Sequence, residues 1–594
     1  MSKPSQGSRL VELAAGVELF STPEGEPFAT FEVGDHLETA AVRSKAFRRY
    51  LARLYHRDTQ AAPNAQAVQD ALGVLEGRAL YEGETLPVYV RVAEFEGAIY
   101  LDLCDEQWEV VEITSTRWAI TTTPPVKFRR ARGMLPLPVP VRGGSVNALY
   151  TYINVTDESA RYLVVAWLLA ALRPRGPYPG LVLHGEQGSA KSTTARVLRM
   201  LVDPNTAALR AEPRDERDVM IAATNGWVVA LDNVSHLKPW LSDALCRLAT
   251  GGGFATRELY TDADEVIFDA QRPVMLNGIE EIATRGDLLD RALLVDLPAI
   301  PEVQRRAEGE FWAAFEAARP RILGALLDGV VTGLRELPTV QAKRLPLPRM
   351  ADFALWVTAA EPALAWPAGA FMAAYTGNRE AANDLTLDAS ALAGPLRALA
   401  GEYTNGAQFM GTATALLAEL RTLVDESVTR QPGWPKSARG LSGALRRLAP
   451  NLRAVGVRIT FEREAGGQRS RLIQVSTVPT VPTDPDPGQA GAQTGTQTPT
   501  GTQSGGGESL DSTGNGTQRD GRDEEILTSS ATAGGMPVDG AALLALAQQR
   551  RFPGLPLRPG VAVPAGAAAW GAFTRCGTVE DRAAAWTALG GPRA

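Results

Sequence analysis

The chain is 594 residues long, carries a formal net charge of −7, and holds three cysteines and four histidines. That length has room for about three or four domains, and the acidic total excludes a generic polycation, so nucleic-acid contacts must come from local basic patches. Cys104, Cys246 and Cys576 lack metal-ligand spacing, the first residues are polar, and no apolar run is long enough to cross a membrane, which predicts a soluble cytoplasmic protein with no zinc site and no membrane contact.

Residues 17–33 alternate apolar and polar around Pro23-Glu24-Gly25, the pattern of a hairpin. Helices are expected next, over 43–57 and 64–78. Phe47, Leu51, Leu54 and Tyr55 share one face of the first, and Arg43, Lys45, Arg48, Arg49, Arg53, His56 and Arg57 cover the remaining surface. That basic cover reads first as a solvated face and second as a face for nucleic acid. From 87 to 126 the pattern turns to strands. Asp102, Asp105 and Glu106 read as turn residues between two of them; an acidic metal cluster of a primase is the rarer alternative, since no second acidic motif accompanies them.

After a Pro- and Gly-rich connection (134–144) and an apolar helix (160–172), the strand Leu181-Val-Leu-His184 runs into GEQGSAKST, residues 185–193. Strand, Gly-rich turn, Lys-Ser and helix in that order describe a phosphate-binding loop. Backbone N–H groups must close around phosphate oxygens, so small residues are needed, and Gly185, Gly188, Ser189 and Ala190 supply them. Glu186, Gln187 and Thr193 complete the binding stretch. Lys191 is expected to reach the β/γ-phosphates of ATP, and the Ser192 hydroxyl to ligate Mg²⁺. Ala190 stands where glycine usually precedes the lysine, which is compatible with the loop if Ala190 keeps a negative φ.

Gly226-Trp-Val-Val-Ala-Leu-Asp232 is an apolar run ending in a carboxylate, as in a buried parallel strand whose tip holds the Mg²⁺ water shell. The next residue, Asn233, orients water but cannot take a proton; Asp243 is a substitute base. A third strand ends at Asn277, placed to position the lytic water, and Arg291 precedes a fourth.

Between these strands the chain reads LCRLATGGGFATRELYTDADEVIFD, residues 245–269. With the phosphate loop before it and Asn277 after it, this layout resembles the superfamily 3 helicases of the AAA+ class, in particular the helicase half of phage and plasmid primase-helicases. The resemblance covers residues 150–300. It implies an α/β AAA+ core built on a P-loop parallel sheet, a homo-hexameric ring with ATP at subunit interfaces, and a hairpin that brings Arg257 and Tyr260 to DNA in the channel. It also implies that Asn277 is the γ-phosphate sensor and Arg291 the finger that reaches a neighbour's nucleotide. The hairpin tip departs from the family, because Asp262, Asp264 and Glu265 would face phosphates.

Residues 303–337 and 351–400 have helical spacing with proline interruptions; Trp356, Trp366 and Phe371 read as core, and Arg321 as structural. From 411 to 475 the order helix, helix, strand, strand describes a winged helix. Lys436, Arg439, Arg446, Arg447, Arg453, Arg458, Arg463, Arg469 and Arg471 there face only Glu462 and Glu464. Arg439, Arg446 and Arg447 fall on the expected recognition helix, and Arg469 and Arg471 on the wing. Residues 477–539 lack core-forming side chains. The expected division is therefore a mixed α+β N-terminal domain (1–145), an ATPase core (146–300), a helical lid and bundle (301–405), a basic winged-helix domain (406–476), a disordered linker (477–540) and a small helical module (541–594).

The function this predicts is Mg-ATP-dependent replicative unwinding of single-stranded or forked DNA for a phage or mobile element, with a separate primase supplying primers. A DNA-bound, ATP-switched scaffold or loader without unwinding is the second reading, and a P-loop kinase a weaker third.

Overall fold

A computed structural model describes residues 5–234, 237–252, 254–257, 265–268, 271–278, 286–344, 346–403, 407–431, 433–463 and 471–477, with backbone only at 254–257, 265–268 and 286–287. The expected linker and helical module, from 478 onward, lie outside these residues.

Near the N-terminus, strands Glu18–Ser21, Pro27–Val33 and His36–Ala41 form an antiparallel meander. The turn closes through Gly25, whose φ of +82° is open to glycine without strain. Two helices, Lys45–Thr59 and Ala65–Tyr81, cover this sheet. Each starts on a side-chain cap, Ser44 Oγ accepting from Phe47 N and Asn64 Oδ1 from Ala67 N. Their apolar faces (Phe47, Leu51 and Tyr55; Val68, Leu72 and Leu75) meet Leu10 and Phe31 in one core. A second meander, Val92–Phe95, Ala98–Asp102, Val110–Ile113 and Trp118–Thr121, follows. Asp102 ends a strand there. Its buried carboxylate is taken by Arg130 at 2.7 and 3.1 Å and by the Cys104 amide, so this acidic group is engaged in holding the chain.

The central sheet is wholly parallel, in the order Val229–Leu231, Val274–Gly278, Gly180–His184, Ala292–Asp296. Its strands are buried on both faces, which is why they read as unbroken apolar runs. A single bridge, Arg210 to Leu231, extends it on one side. On the other side the side-chain amide of Asn378 does what a further strand would do. Its Oδ1 accepts from Leu294 N (3.0 Å) and its Nδ2 donates to Leu294 O (2.6 Å), covering the exposed edge.

Helix Glu158–Ala171, capped by Asp157, is buried almost all round, between the sheet and the helices of the next region. Beyond the sheet, the proline interruptions expected at 303–337 do not divide the chain. One 35-residue helix, Glu308–Ala342, runs through Pro320 and Pro338. An internal proline costs about 3 kcal/mol, and burial of Phe315, Ile322, Leu323, Leu326, Leu327 and Val330 on one side of the helix outweighs it. The 134–144 connection lies flush on this helix: a Cβ on Gly324 would sit 2.0 Å from Val141 O, and one on Gly144 2.0 Å from Arg321 O. Gly324→Ala should therefore destabilise the fold by about 1–3 kcal/mol through overpacking. Gly377→Ala, at a helical site with nothing within 4 Å, should instead raise the thermal midpoint, gaining about 0.5–1 kcal/mol. Thermal denaturation of the two variants side by side checks both signs.

Trp356 and Phe371 are core residues, and Trp366 is half-buried against Tyr162 with ring centroids 4.6 Å apart. Arg321 is exposed. The last described region has its own core. Helix Ala393–Glu402, strand Phe409–Thr412, helices Ala413–Thr422 and Ala438–Ala454, and strands Val457–Arg463 and Arg471–Thr477 follow in order. The three strands form an antiparallel sheet with Arg471–Thr477 in the middle. The strand at 409–412 was not expected. Helix Ala438–Ala454 likewise runs through a proline, Pro450, because Leu452 is buried in the same core. Among the described residues no helix is long and apolar enough to cross a membrane.

Candidate functional site

The C-terminal edge of a parallel sheet is where strand tips and their following loops converge. Strand Gly180–His184 pairs with Val274–Gly278 on one side and Ala292–Asp296 on the other, and Leu183 is in register with Asn277. Leu231 is in register with Leu276, so Asp232 emerges beside Asn277.

The loop after His184 is shaped by three positive φ values: Gly185 at 147°, Gly188 at 84° and Ala190 at 60°. The third fails the condition of a negative φ at Ala190, since the turn into the helix requires the left-handed region. An alanine there costs about 1–2 kcal/mol relative to a right-handed conformation. Ties from elsewhere hold the loop in this shape. Asn154 Nδ2 donates to Ser189 O (3.0 Å) and Pro298 O (2.6 Å), Leu297 N to His184 O (2.9 Å), and Ile300 N to Gly188 O (3.3 Å). Leu297 O lies 2.2 Å from where a Cβ on Gly185 would be, so no larger residue fits.

Helix Lys191–Val202 starts at this loop with no side-chain cap, leaving its first N–H groups and the positive end of its dipole to the loop's concavity. Lys191 Nζ donates to Gly185 O (2.6 Å), Glu186 O (2.7 Å) and Ser189 Oγ (3.3 Å), and burial holds its pKa below the usual lysine value. Ser192 Oγ donates to Asp232 Oδ1 at 2.8 Å. Glu186 and Gln187 are exposed at the loop tip, and Thr193 is half-buried on the helix.

Asn277 is 1% exposed. Its Oδ1 accepts from Asn233 N at 2.7 Å and its backbone oxygen from Val234 N at 2.9 Å, with Asn233 at φ 54°. The amide nitrogen, Nδ2, is buried without a partner among the described residues. With the acceptor spent on the backbone, this group has only donors left for whatever enters, which suits an anionic oxygen. Lys191, Ser192, Asp232 and Asn277 are thus brought together from three strand tips.

Arg291 is not brought to them. Its carbonyl accepts from Gly180 N (2.9 Å), and Gly180 pairs with Ala292 while His184 pairs with Asp296. In a parallel pair this puts Arg291 at the opposite edge of the sheet, about 13–15 Å of strand away from the loop. Its neighbour Asp290 is gripped by Arg349 and, at 2.9 Å, by Arg379; burial pushes that carboxyl up, but the two guanidinium hydrogen bonds prevail and its pKa is lowered. Asp243 is exposed on helix Pro239–Thr250.

Three residues at the site had no sequence signal. Asn154 comes from a segment far upstream. His184 faces Asp296 at 3.2 Å, its pKa lowered by burial. Arg305 has Nη2 3.9 Å from a Cβ position on Gly188 and pairs with Glu302 at 3.8 Å.

Of the expected nucleic-acid residues, Arg439, Arg446 and Arg447 are exposed on helix Ala438–Ala454 at spacings of seven and eight, hence one face. Arg446 lies over the Phe461 ring at 5.0 Å. Arg471 pairs directly across from Arg463, a like-charge pair that is unfavourable without a counter-anion. Arg469, Tyr260 and the Arg257 side chain lie outside the described residues; the Arg257 backbone is on a two-stranded hairpin, Phe254–Arg257 with Glu265–Phe268.

Residues 146–388 match the family model of the actinomycete integrative conjugative element replication protein, and residues 392–491 match that of the RepA C-terminal domain of the same elements. The chain is similar to a replication protein of mobile DNA. Both matched regions contain the residues described above, the phosphate loop and strand tips in the first and the basic helix and hairpin in the second; residues 1–145 lie outside both. No curated protein matches the chain. Among solved structures, the apo A form of the NrS-1 C-terminal region aligns at 11% identity and a TM-score of 0.36, covering 80% of this chain and 100% of that one. A structure of the NrS-1 C-terminal region 305–718 aligns at 12% and 0.34, covering 79% and 98%.

Proposed function

We propose that this replication-type protein is an Mg-ATP-dependent ATPase that acts on DNA as a ring, in the manner of the superfamily 3 helicases. The observation that carries the reading is the 2.8 Å hydrogen bond from Ser192 Oγ to Asp232 Oδ1, beside the uncapped helix start at Lys191. A hydroxyl and a carboxylate at that distance suit a Mg²⁺ ion that takes its other ligands from phosphate oxygens and water. Consistent with that, the described residues hold no group of three or more His, Cys, Asp or Glu side chains able to cage a metal by themselves. Bound there, Mg²⁺ would supply charge neutralisation between the outer phosphates. Lys191 exchanges its loop carbonyls for phosphate oxygens, and the Asn277 amide donates to the outermost phosphate or to the attacking water. The exposed arginines of helix Ala438–Ala454, on a winged-helix module, hold duplex or forked DNA.

The second reading, an ATP-switched scaffold or loader, draws support from Asn233, which stands next to Asp232 and cannot accept the proton of the attacking water. ATP turnover and strand displacement on forked DNA, each measured for wild type and Lys191→Ala, test both. Turnover and displacement that both vanish in the variant are the expected result. Turnover without displacement leaves the scaffold, and absence of Mg-ATP binding by the wild type overturns both.

A further inference from the structure

The helix Lys45–Thr59 belongs to the N-terminal region that neither family model reaches. Its inner face, Phe47, Leu51 and Tyr55, is buried. Its outer face carries Lys45, Arg48, Arg49, Arg53, His56 and Arg57, all exposed. The spacings of three, four, eight, eleven and twelve from Lys45 align them in one stripe about 18 Å long. The one carboxylate on the helix, Asp58, is committed to Arg9 at 2.7 and 2.9 Å, and neighbouring Arg43 to Glu76. Among the described residues no ion pair engages Lys45, Arg48, Arg49, Arg53 or Arg57.

His56 and Arg57 in the last turn suit the dipole there, but the rest of the face is arranged against its own helix. The first turn has no acidic residue and instead holds Lys45 and Arg48 at the positive end of the dipole. Arg49, Arg53 and Arg57 repeat at intervals of four, where like charges repel by about 0.2–0.5 kcal/mol per pair. In a chain of net charge −7, cations so concentrated and so unpaired suit a regular polyanion. Nucleic acid presents one, with phosphates every 3.4 Å or so of rise along a strand, so the stripe spans about five nucleotides.

We propose that the outer face of helix Lys45–Thr59 is a nucleic-acid-binding surface that grips the phosphate backbone without reading bases, separate from the basic helix at Ala438–Ala454. The stripe is built of lysine and arginine with one histidine, side chains that meet phosphates through charge. Affinity should therefore follow salt and length and be indifferent to base sequence.

The test uses the full chain and a dye-labelled 30-nucleotide strand, dT and mixed-sequence, with binding read by anisotropy across a salt series. The variant carries Arg48→Gln, Arg49→Gln, Arg53→Gln and Arg57→Gln together; a companion carries Arg439→Gln, Arg446→Gln and Arg447→Gln. The expected result is weaker binding of both strands by the first variant. The slope of log K against log salt should be shallower by about 3, four lost contacts at about 0.7 each for single strands. The thermal midpoint should be unchanged or raised, and ATP turnover without DNA unchanged. Wild-type affinity and slope in the first variant, with loss only in the companion, overturns the proposal. So does wild-type DNA binding combined with lost co-sedimentation on phosphatidylserine vesicles, which would assign the stripe to a membrane. Neither outcome touches the ATPase reading, whose residues lie elsewhere.

Discussion

Arg291→Ala should reduce ATP turnover by about 10³-fold or more while leaving the dissociation constant for a slowly hydrolysed ATP analogue within about two-fold of wild type. The argument rests on where the residue sits. Arg291 is at the N-terminal edge of its strand, tied to Gly180, while Lys191, Asp232 and Asn277 gather at the C-terminal edge. An arginine side chain reaches about 7 Å, and the sheet interposes about 13–15 Å, so Arg291 cannot serve its own protomer's loop. If it serves hydrolysis, it does so for a neighbour in a ring, where an arginine finger is worth about 10³–10⁵ in rate. The loss then has a property no cis residue shares. Mixing Arg291→Ala with Lys191→Ala should restore part of the turnover, because interfaces form that pair an intact loop with an intact arginine. Arg291→Lys keeps the charge without the planar fork and should stay slow, while the thermal midpoints of both variants confirm that the strand entry is intact. Turnover within about three-fold of wild type in Arg291→Ala, or mixtures no more active than their parts, removes the trans role and with it the catalytic case for a ring.

The parts of this site legible in the sequence are those whose chemistry is local. Leu181–Ser192 announces itself because strand, glycines, lysine and serine must follow one another for the backbone to wrap a phosphate. Asp232 and Asn277 are readable as polar ends of apolar runs, the pattern of a buried parallel strand whose tip carries a polar group. What the sequence hid depends on chain that returns from a distance. Asn154 ties Ser189 O to Pro298 O, yet it precedes the loop by more than thirty residues in a stretch without pattern. The sign of φ at Ala190 is not legible from side-chain size; the descent into helix Lys191–Val202 decides it. Proline misled in a consistent direction. Pro320, Pro338 and Pro450 all sit inside continuous helices, because buried leucines on the same helix outweigh a lost hydrogen bond, and a propensity argument counts only the loss.

Asp203→Ala should be strongly destabilising, costing about 3–5 kcal/mol, because it removes the carboxylate that holds two buried guanidinium groups. Asp203 is 0% exposed. Its Oδ1 accepts from Arg91 Nε at 3.3 Å, and its Oδ2 from Arg199 Nη2 at 3.4 Å and from the backbone N–H groups of Trp227 and Val228, both at 3.0 Å. Arg91 and Arg199 are themselves buried, at 0% and 1% exposure, and spend their other donors on carbonyls of Asp102, Leu135, Ala207 and Ala208. Burial already lowers the pKa of Arg199. Deleting the carboxylate leaves two guanidinium groups without a counter-charge, a loss of the 3–5 kcal/mol kind, and orphans two amides besides. Against a total stability of about 5–15 kcal/mol, the variant should be largely unfolded at 37 °C. Asp203→Asn keeps an acceptor and the shape but not the charge, so it should fall between wild type and alanine; urea midpoints at constant m-value measure both. The cluster is also where the site's two halves are joined. Asp203 directly follows the helix that begins at Lys191, and Trp227-Val228 lead into the strand that delivers Asp232. A folded Asp203→Asn protein should therefore need more Mg²⁺ for half-maximal turnover, since the Ser192–Asp232 spacing is held from this buried end. If Asp203→Ala shifts the urea midpoint by an amount equivalent to less than about 1 kcal/mol, the cluster is not what fixes that spacing.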